Sequence, residues 1–173
     1  MIIGWVGNYG RPGKQYWLAA RVALKLGATF RIAGPKGTDQ HLPHEEMPDF
    51  YRGLDLLLIT SNFEAHPLVV YEALACGCPV VMERFIGDCY ANKVQGIVYY
   101  EGFEVDAVCD AVEKAYADRE RLGRLGVKCI KEEWAWEIIA PSYDNFFRAL
   151  EEEPRVCFAI NEHGWCWDFM AQE

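Results

Sequence analysis

The sequence predicts a doubly wound α/β fold, a parallel sheet with helices on both faces. Three observations predict it. Short apolar runs alternate with helical segments at the spacing of strand–helix–strand units. One run, Leu54-Asp55-Leu56-Leu57-Leu58-Ile59, is almost continuously apolar, as a strand covered on both faces must be. Two loops of unusual composition, at residues 7–14 and 61–66, each follow such a run, and in open sheets of this kind ligands bind beyond the carboxyl ends of the strands.

The elements follow in order. The first strand is Ile2 to Val6. It runs into Gly7-Asn8-Tyr9-Gly10-Arg11-Pro12-Gly13-Lys14, a loop rich in glycine and basic residues. A helix from Gln15 to Leu26 comes next, with Trp17, Ala20 and Leu24 on one face, and Gly27 falls where a helix stop is expected. Thr29 to Ala33 reads as the second strand, ended by the turn chemistry of Gly34-Pro35-Lys36-Gly37. Residues 38–45 are polar and proline-interrupted and predict no strand, whereas Met47 to Arg52 predicts a short helix. After the strand at 54–59 come a loop, Thr60 to His66, and a helix from Pro67 to Cys76; proline at a first helical position forfeits no hydrogen bond. Pro79 to Met82 and Gly96 to Tyr100 are two further buried strands. Val105, Val108, Val112 and Tyr116 recur three or four apart, so the chain is helical from Glu104, and later helices are expected over 118–133 and 136–151.

Composition narrows the function classes. At 173 residues the chain can build one well-buried core, and 51% hydrophobic with 25% charged residues is ordinary for a globular protein. A net charge of −9 repels phosphate backbones, which argues against nucleic acid as a partner. The seven cysteines show no zinc-ligand spacing and are expected as free thiols in a reducing cytoplasm. His41, His44 and His163 have no partners at ligand spacing, so neither a metal nor a cofactor is expected. No apolar run approaches the ~20 residues of a spanning helix, and membrane contact is expected to be peripheral at most.

The two loops carry the chemistry. Gly7, Gly10 and Gly13 let the backbone approach a ligand, the following helix offers free N–H groups, and Arg11 and Lys14 add positive charge. A diphosphate suits that environment. A nucleotide-triphosphate loop would need glycine at position 8 and Ser or Thr at 15, where Asn8 and Gln15 stand, and Gly4, Gly7 and Gly10 lack the dinucleotide spacing. A plain strand-to-helix turn with solvated basic residues is the competing reading. In the second loop Glu64 and Glu72 stand eight residues apart. With a helix starting near Pro67, Glu64 lies at its mouth and Glu72 in its second turn, so both can accept hydrogen bonds from the paired hydroxyls of a sugar or ribose. The N–H groups of Leu68 and Val69 suit phosphate oxygens. Helix capping by Glu64 and an exposed Glu72 is the alternative, and His66 reads equally as an ordinary loop residue.

The run Glu64-Ala65-His66-Pro67-Leu68-Val69-Val70-Tyr71-Glu72-Ala73-Leu74-Ala75-Cys76-Gly77-Cys78-Pro79-Val80-Val81 resembles the motif of family 4-type retaining glycosyltransferases of the GT-B fold. Ser61 before the first glutamate, Ile32-Ala33-Gly34 ending the second strand, Gly87, Gly96-Ile97-Val98 and a late Trp134 or Trp136 agree with it. The resemblance spans residues 3–148. It implies the Rossmann-like, nucleotide-sugar-binding half of that fold over 1–150, with 151–173 as a C-terminal tail. It further implies that Glu72 binds the ribose hydroxyls and that Glu64 contacts the donor sugar. Arg11 and Lys14 would neutralise the departing diphosphate, with the backbone from Pro67 to Val69 facing the donor. Gly7, Gly10, Gly34, Pro35, Lys36, Ser61 and His66 complete the expected donor site, and no catalytic metal is implied. The expected reaction moves a hexose from UDP or GDP to an acceptor held by an N-terminal domain or a separate subunit.

Three departures accompany the resemblance. Asn8 stands where the family places an arginine, the third strand is shortened or missing, and the N-terminal domain is absent. The altered basic loop and the missing half leave a second reading open, a non-catalytic nucleotide-binding or assembly module. In the tail, Trp165, Trp167, Phe169 and Met170 form an aromatic-rich cluster that either packs on its own domain or docks on a second domain or subunit.

Overall fold

A computed structural model describes residues 1–35, 41–87, 93–152, 157–158 and 169–170. The chain divides into two compact units, Met1–Glu132 and Glu133–Glu173. In the first, five parallel strands are β1 (Ile2–Val6), β2 (Thr29–Ala33), β3 (Leu56–Ile59), β4 (Val80–Glu83) and β5 (Ile97–Tyr100). Their order across the sheet is β2-β1-β3-β4-β5. The chain therefore leaves β1 to one side for β2 and returns to its other side for β3. The switch point falls between β1 and β3, the place beyond the strand ends where sheets of this kind generally bind ligands.

The helices are α1 (Tyr16–Lys25), α2 (Met47–Arg52), α3 (Val69–Ala75), α4 (Arg84–Gly87), α5 (Val105–Ala117) and α6 (Arg119–Cys129). Pleat alternation sends Ile3, Trp5, Leu56, Leu58 and Val81 into one core with Leu18, Ala19 and Val22 of α1 and Val108, Ala111, Val112 and Ala115 of α5. The alternate residues Leu57, Val80 and Met82 are fully buried as well, while α3 packs with α2 and α6. Glycines set the closest approaches on that side. A Cβ on Gly123 of α6 would stand 2.4 Å from the Gly77 carbonyl, and one on Gly96 would stand 2.7 Å from Leu74 Cδ2.

Several expectations shift. α1 buries Leu18, Ala19, Val22 and Ala23, whereas Trp17 and Leu24 are 74% and 82% exposed. The small Ala19 and Ala23 let the helix lie close to the sheet, which turns the larger side chains outward. β3 begins at Leu56 because Asp55 breaks the apolar run, its carboxylate accepting the Ile2 N–H at 2.7 Å. α3 begins at Val69 rather than Pro67, preceded by a tighter turn in which the Val70 N–H bonds the Pro67 carbonyl, so Glu72 lies in its first turn. α6 ends at Cys129 and continues as a π-helical turn over Ile130–Trp134. Between β2 and α2 the described residues form no strand, only a single parallel bridge from Gly34 to His41.

The second unit contains α7 (Trp136–Glu152) and an antiparallel pair, β6 (Cys157–Phe158) with β7 (Phe169–Met170). Within α7, Trp136 stacks on Tyr143 and Arg148 pairs with Asp144 one turn away. Trp165, Trp167 and His163 lie outside the described residues, as does Lys36.

Candidate functional site

The switch point is built around one threonine. Thr60, fully buried at the end of β3, accepts the indole N–H of Trp5 at 3.1 Å. Its hydroxyl lies 2.9 Å from the Lys14 carbonyl and 3.0 Å from that of Gln15, so the proton is shared between them. This ties the end of β3 to β1 and to the basic loop. The loop is folded tightly: Pro12–Lys14 forms a 3-10 turn, and Gln15 is left-handed at φ 47°, the one such non-glycine residue described. Held strain of this kind fixes where Lys14 leaves the backbone. A second strap runs from the Asn62 N–H to the Gly13 carbonyl at 2.9 Å. Gly7 is required on packing grounds, since a Cβ there would press to 3.0 Å from the Trp5 ring.

The basic loop and the end of β2 enclose a cleft of about 320 Å3, lined by Gly7, Asn8, Arg11, Lys14, Gly34, Pro35 and Met47 with Val6 and Ala33. Clefts of roughly 300–1,000 Å3 hold small ligands and cofactors. Lys14 of the lining pairs with Glu64, both half-buried, and Ser61 donates to the same Glu64 Oε1 at 2.7 Å; Glu64 and Ser61 themselves lie outside the lining. Glu64 Oε2 keeps no bond among the described residues. Arg11 is exposed and makes no ion pair among them, so its charge faces the cleft unneutralised. The two loops thus converge, joined by an ion pair and a backbone hydrogen bond.

Other expected residues stand further off. Gly10 is exposed and does not line the cleft; its N–H bonds the Asn8 side chain at 2.9 Å. Glu72 is outside the lining as well: it accepts the Tyr51 hydroxyl at 2.8 Å, between α3 and α2. His66 lies 2.9 Å from the Tyr71 hydroxyl, and partial burial holds its imidazole below the ordinary value of 6.5. Pro67 is buried and has no N–H, Leu68 is exposed, and Val69 opens α3. Among the described residues no group of three or more His, Cys, Asp or Glu is placed to hold a metal ion, and no helix is long and apolar enough to cross a membrane.

Four residues of this region are not read from the sequence as site residues: Thr60, Asn62, Tyr51 and Met47. Each is an ordinary residue type, and Thr60, Asn62 and Tyr51 act through partners remote in sequence, 55 residues away for Thr60 and Trp5. Only the polar Thr60-Ser61-Asn62 run closing an apolar strand could have pointed to two of them.

Comparison with known proteins places the chain in context. The sequence pattern of the family described as "Glycosyl transferases group 1" matches residues 39–131. A D-inositol 3-phosphate glycosyltransferase from Xylanimonas cellulosilytica is 31% identical over 155 residues, covering 86% of this chain and 35% of that protein. Glycogen synthase 2 from Geobacter metallireducens is 29% identical over 138 residues, covering 73% and 28% respectively. The chain therefore spans about a third of the length of these relatives. Among solved structures, sucrose-phosphate synthase from Thermosynechococcus elongatus superposes with a TM-score of 0.70 at 19% identity, over 87% of this chain and 45% of that one. The catalytic domain of starch synthase IV from Arabidopsis thaliana, bound to ADP and acarbose, gives 0.66 at 16% identity, over 86% and 38%. These two likenesses establish the fold, a Rossmann-like half of the GT-B architecture.

Proposed function

Because the chain belongs to the glycosyl transferases group 1 family, we propose that it is the donor-binding half of a retaining hexosyltransferase that takes a UDP- or GDP-sugar. The observation that carries this reading is a nucleotide-sized cleft lined by Arg11 and Lys14, with Lys14 paired to Glu64 and Ser61 donating to the same carboxylate. In this reading Arg11 and Lys14 face the diphosphate, and negative charge growing on the leaving group is stabilised by groups already in place. Glu64 moves from Lys14 towards the sugar hydroxyls, and Glu72 takes the ribose. Gly34, Pro35 and the Met47 thioether offer a flat, largely apolar surface for the base. The acceptor is held by a second domain or subunit. Exposed Phe63 and Phe85, which follow β3 and β4, provide apolar surface for it, and closure excludes water from the reaction.

A thermal-shift series with UDP, GDP, ADP and their glucose conjugates tests the reading. At a hundredfold excess over Kd, ligand binding adds about 2.7 kcal/mol, which moves the midpoint of a domain this size by roughly 5–10 °C. If no nucleoside diphosphate raises the midpoint and Glu72→Ala changes nothing, the reading fails. One observation favours the second reading, a non-catalytic nucleotide-binding module: Lys14 is already engaged by Glu64, leaving Arg11, among the described residues, as the unpaired cation of the cleft. Donor hydrolysis that disappears in Glu64→Ala excludes that alternative.

A further inference from the structure

Glu72 lies outside the lining of the cleft and is held by a neighbouring helix. It sits in the first turn of α3, half-buried, and its Oε2 accepts the Tyr51 hydroxyl at 2.8 Å. Tyr51 belongs to α2 and is 1% exposed. Its ring meets Phe50 edge-on at 5.8 Å, and its burial leaves the phenol little room to move. On the same helix Met47 lines the donor cleft. The short α2 therefore touches the cleft at one end and grips the Glu72 carboxylate at the other. Among the described residues Glu72 Oε1 has no hydrogen bond, so the carboxylate is anchored by one oxygen and open at the other.

We infer that Tyr51 is a positioning residue that fixes the Glu72 carboxylate in the orientation that receives ribose hydroxyls. The inference rests on the donor-site reading above, which assigns the ribose to Glu72. A carboxylate on a freely rotating Glu side chain loses rotamer freedom when it binds a diol; one held beforehand by a buried phenol has already lost it. Burial, and then the neighbouring Glu72, push the Tyr51 hydroxyl well above its ordinary range. It therefore stays a donor throughout the pH range in which the protein is handled. The bond uses one lone pair of Oε2 and leaves both acceptor sites of Oε1 for adjacent hydroxyls.

Tyr51→Phe removes one oxygen and keeps the ring, and Glu72→Gln keeps the shape of the side chain without its charge. Titration calorimetry of the chain and both variants with UDP, GDP and ADP, and with the 2′-deoxy and 3′-deoxy forms of whichever binds, reads the ribose contacts directly. The expected result is a preference for the ribose form in the wild type. Both single variants reduce it, Tyr51→Phe by roughly tenfold, and the double variant loses no more than Glu72→Gln alone. A role confined to packing would weaken all ligands equally and leave that preference intact. Should Tyr51→Phe fail to fold by circular dichroism, Glu72→Asp withdraws the carboxylate from the same hydroxyl and must reduce the preference likewise. An undiminished ribose preference in Tyr51→Phe, beside its loss in Glu72→Gln, overturns the inference alone. A wild type indifferent to the ribose hydroxyls, or binding no nucleoside diphosphate, overturns the donor-site reading beneath it.

Discussion

At the residue scale the site depends on a few polar atoms whose partners are far away in sequence. Thr60 is the sharpest case, because it serves Trp5 and the Lys14 and Gln15 carbonyls at once. Thr60→Val is nearly isosteric, yet it takes the acceptor from a buried indole N–H and the hydroxyl from the Lys14 carbonyl, while the Gln15 carbonyl keeps the Leu18 N–H. The expected loss is about 1–3 kcal/mol in urea unfolding, together with weaker diphosphate binding as Lys14 loses its fixed exit. A smaller loss in Ser61→Ala, whose hydroxyl serves only Glu64, would separate the two roles. His66 adds a pH dependence. Its folded-state value lies below the unfolded 6.5 because burial disfavours the cation. The unfolded chain thus binds the proton first as pH falls. The neutral imidazole's contribution is complete above 6.5 and is lost as the pH drops through the folded value. His66→Gln should flatten that part of the stability profile between pH 7.5 and 5; an unchanged slope would show that other groups set it.

At the scale of elements most of the architecture was legible beforehand, and the reasons are specific. β1, β2 and α2 have the bounds that their apolar runs and turn residues indicated. The parallel sheet follows from strands buried on both faces, such as Leu56–Ile59. What escaped was rotation and exact starting point. Trp17, Ala20 and Leu24 read as one face of the helix, but which face is buried was not legible: Leu18, Ala19, Val22 and Ala23 form the interface, the small Ala19 and Ala23 allowing the helix close to the sheet. The start of α3 slipped by two residues because Pro67 supports a tight turn as readily as a helix. Glycine contacts could not be weighed from sequence either, since Gly77 and Gly123 meet only after folding. Gly123→Ala forces a Cβ to 2.4 Å from a backbone carbonyl that cannot step aside. It should destabilise the protein by at least ~2 kcal/mol, displacing α6 from the α3–β4 turn. An unaltered urea midpoint would mean that α6 is free to shift.

At the scale of the whole molecule the chain is acidic, yet among the described residues two cations, Arg11 and Lys14, line one cleft between the basic loop and the end of β2. Glu64 and Glu72 stand outside the lining of that cleft; the pairing of Lys14 with Glu64 and the turning of Glu72 towards Tyr51 did not follow from their spacing alone. A chain about a third as long as its relatives can bind a donor through such a cleft and still require another domain for transfer. Low salt should strengthen that binding, since the cations at the cleft are partly exposed. The most direct measurement is a calorimetric series of uridine, UMP and UDP, and the guanosine set, against the wild type and the Arg11→Ala, Lys14→Ala double variant. The account predicts affinity rising with each phosphate in the wild type, and a double variant in which the second phosphate adds nothing. Equal affinity for nucleoside and diphosphate, or an increment that survives loss of both cations, would contradict it.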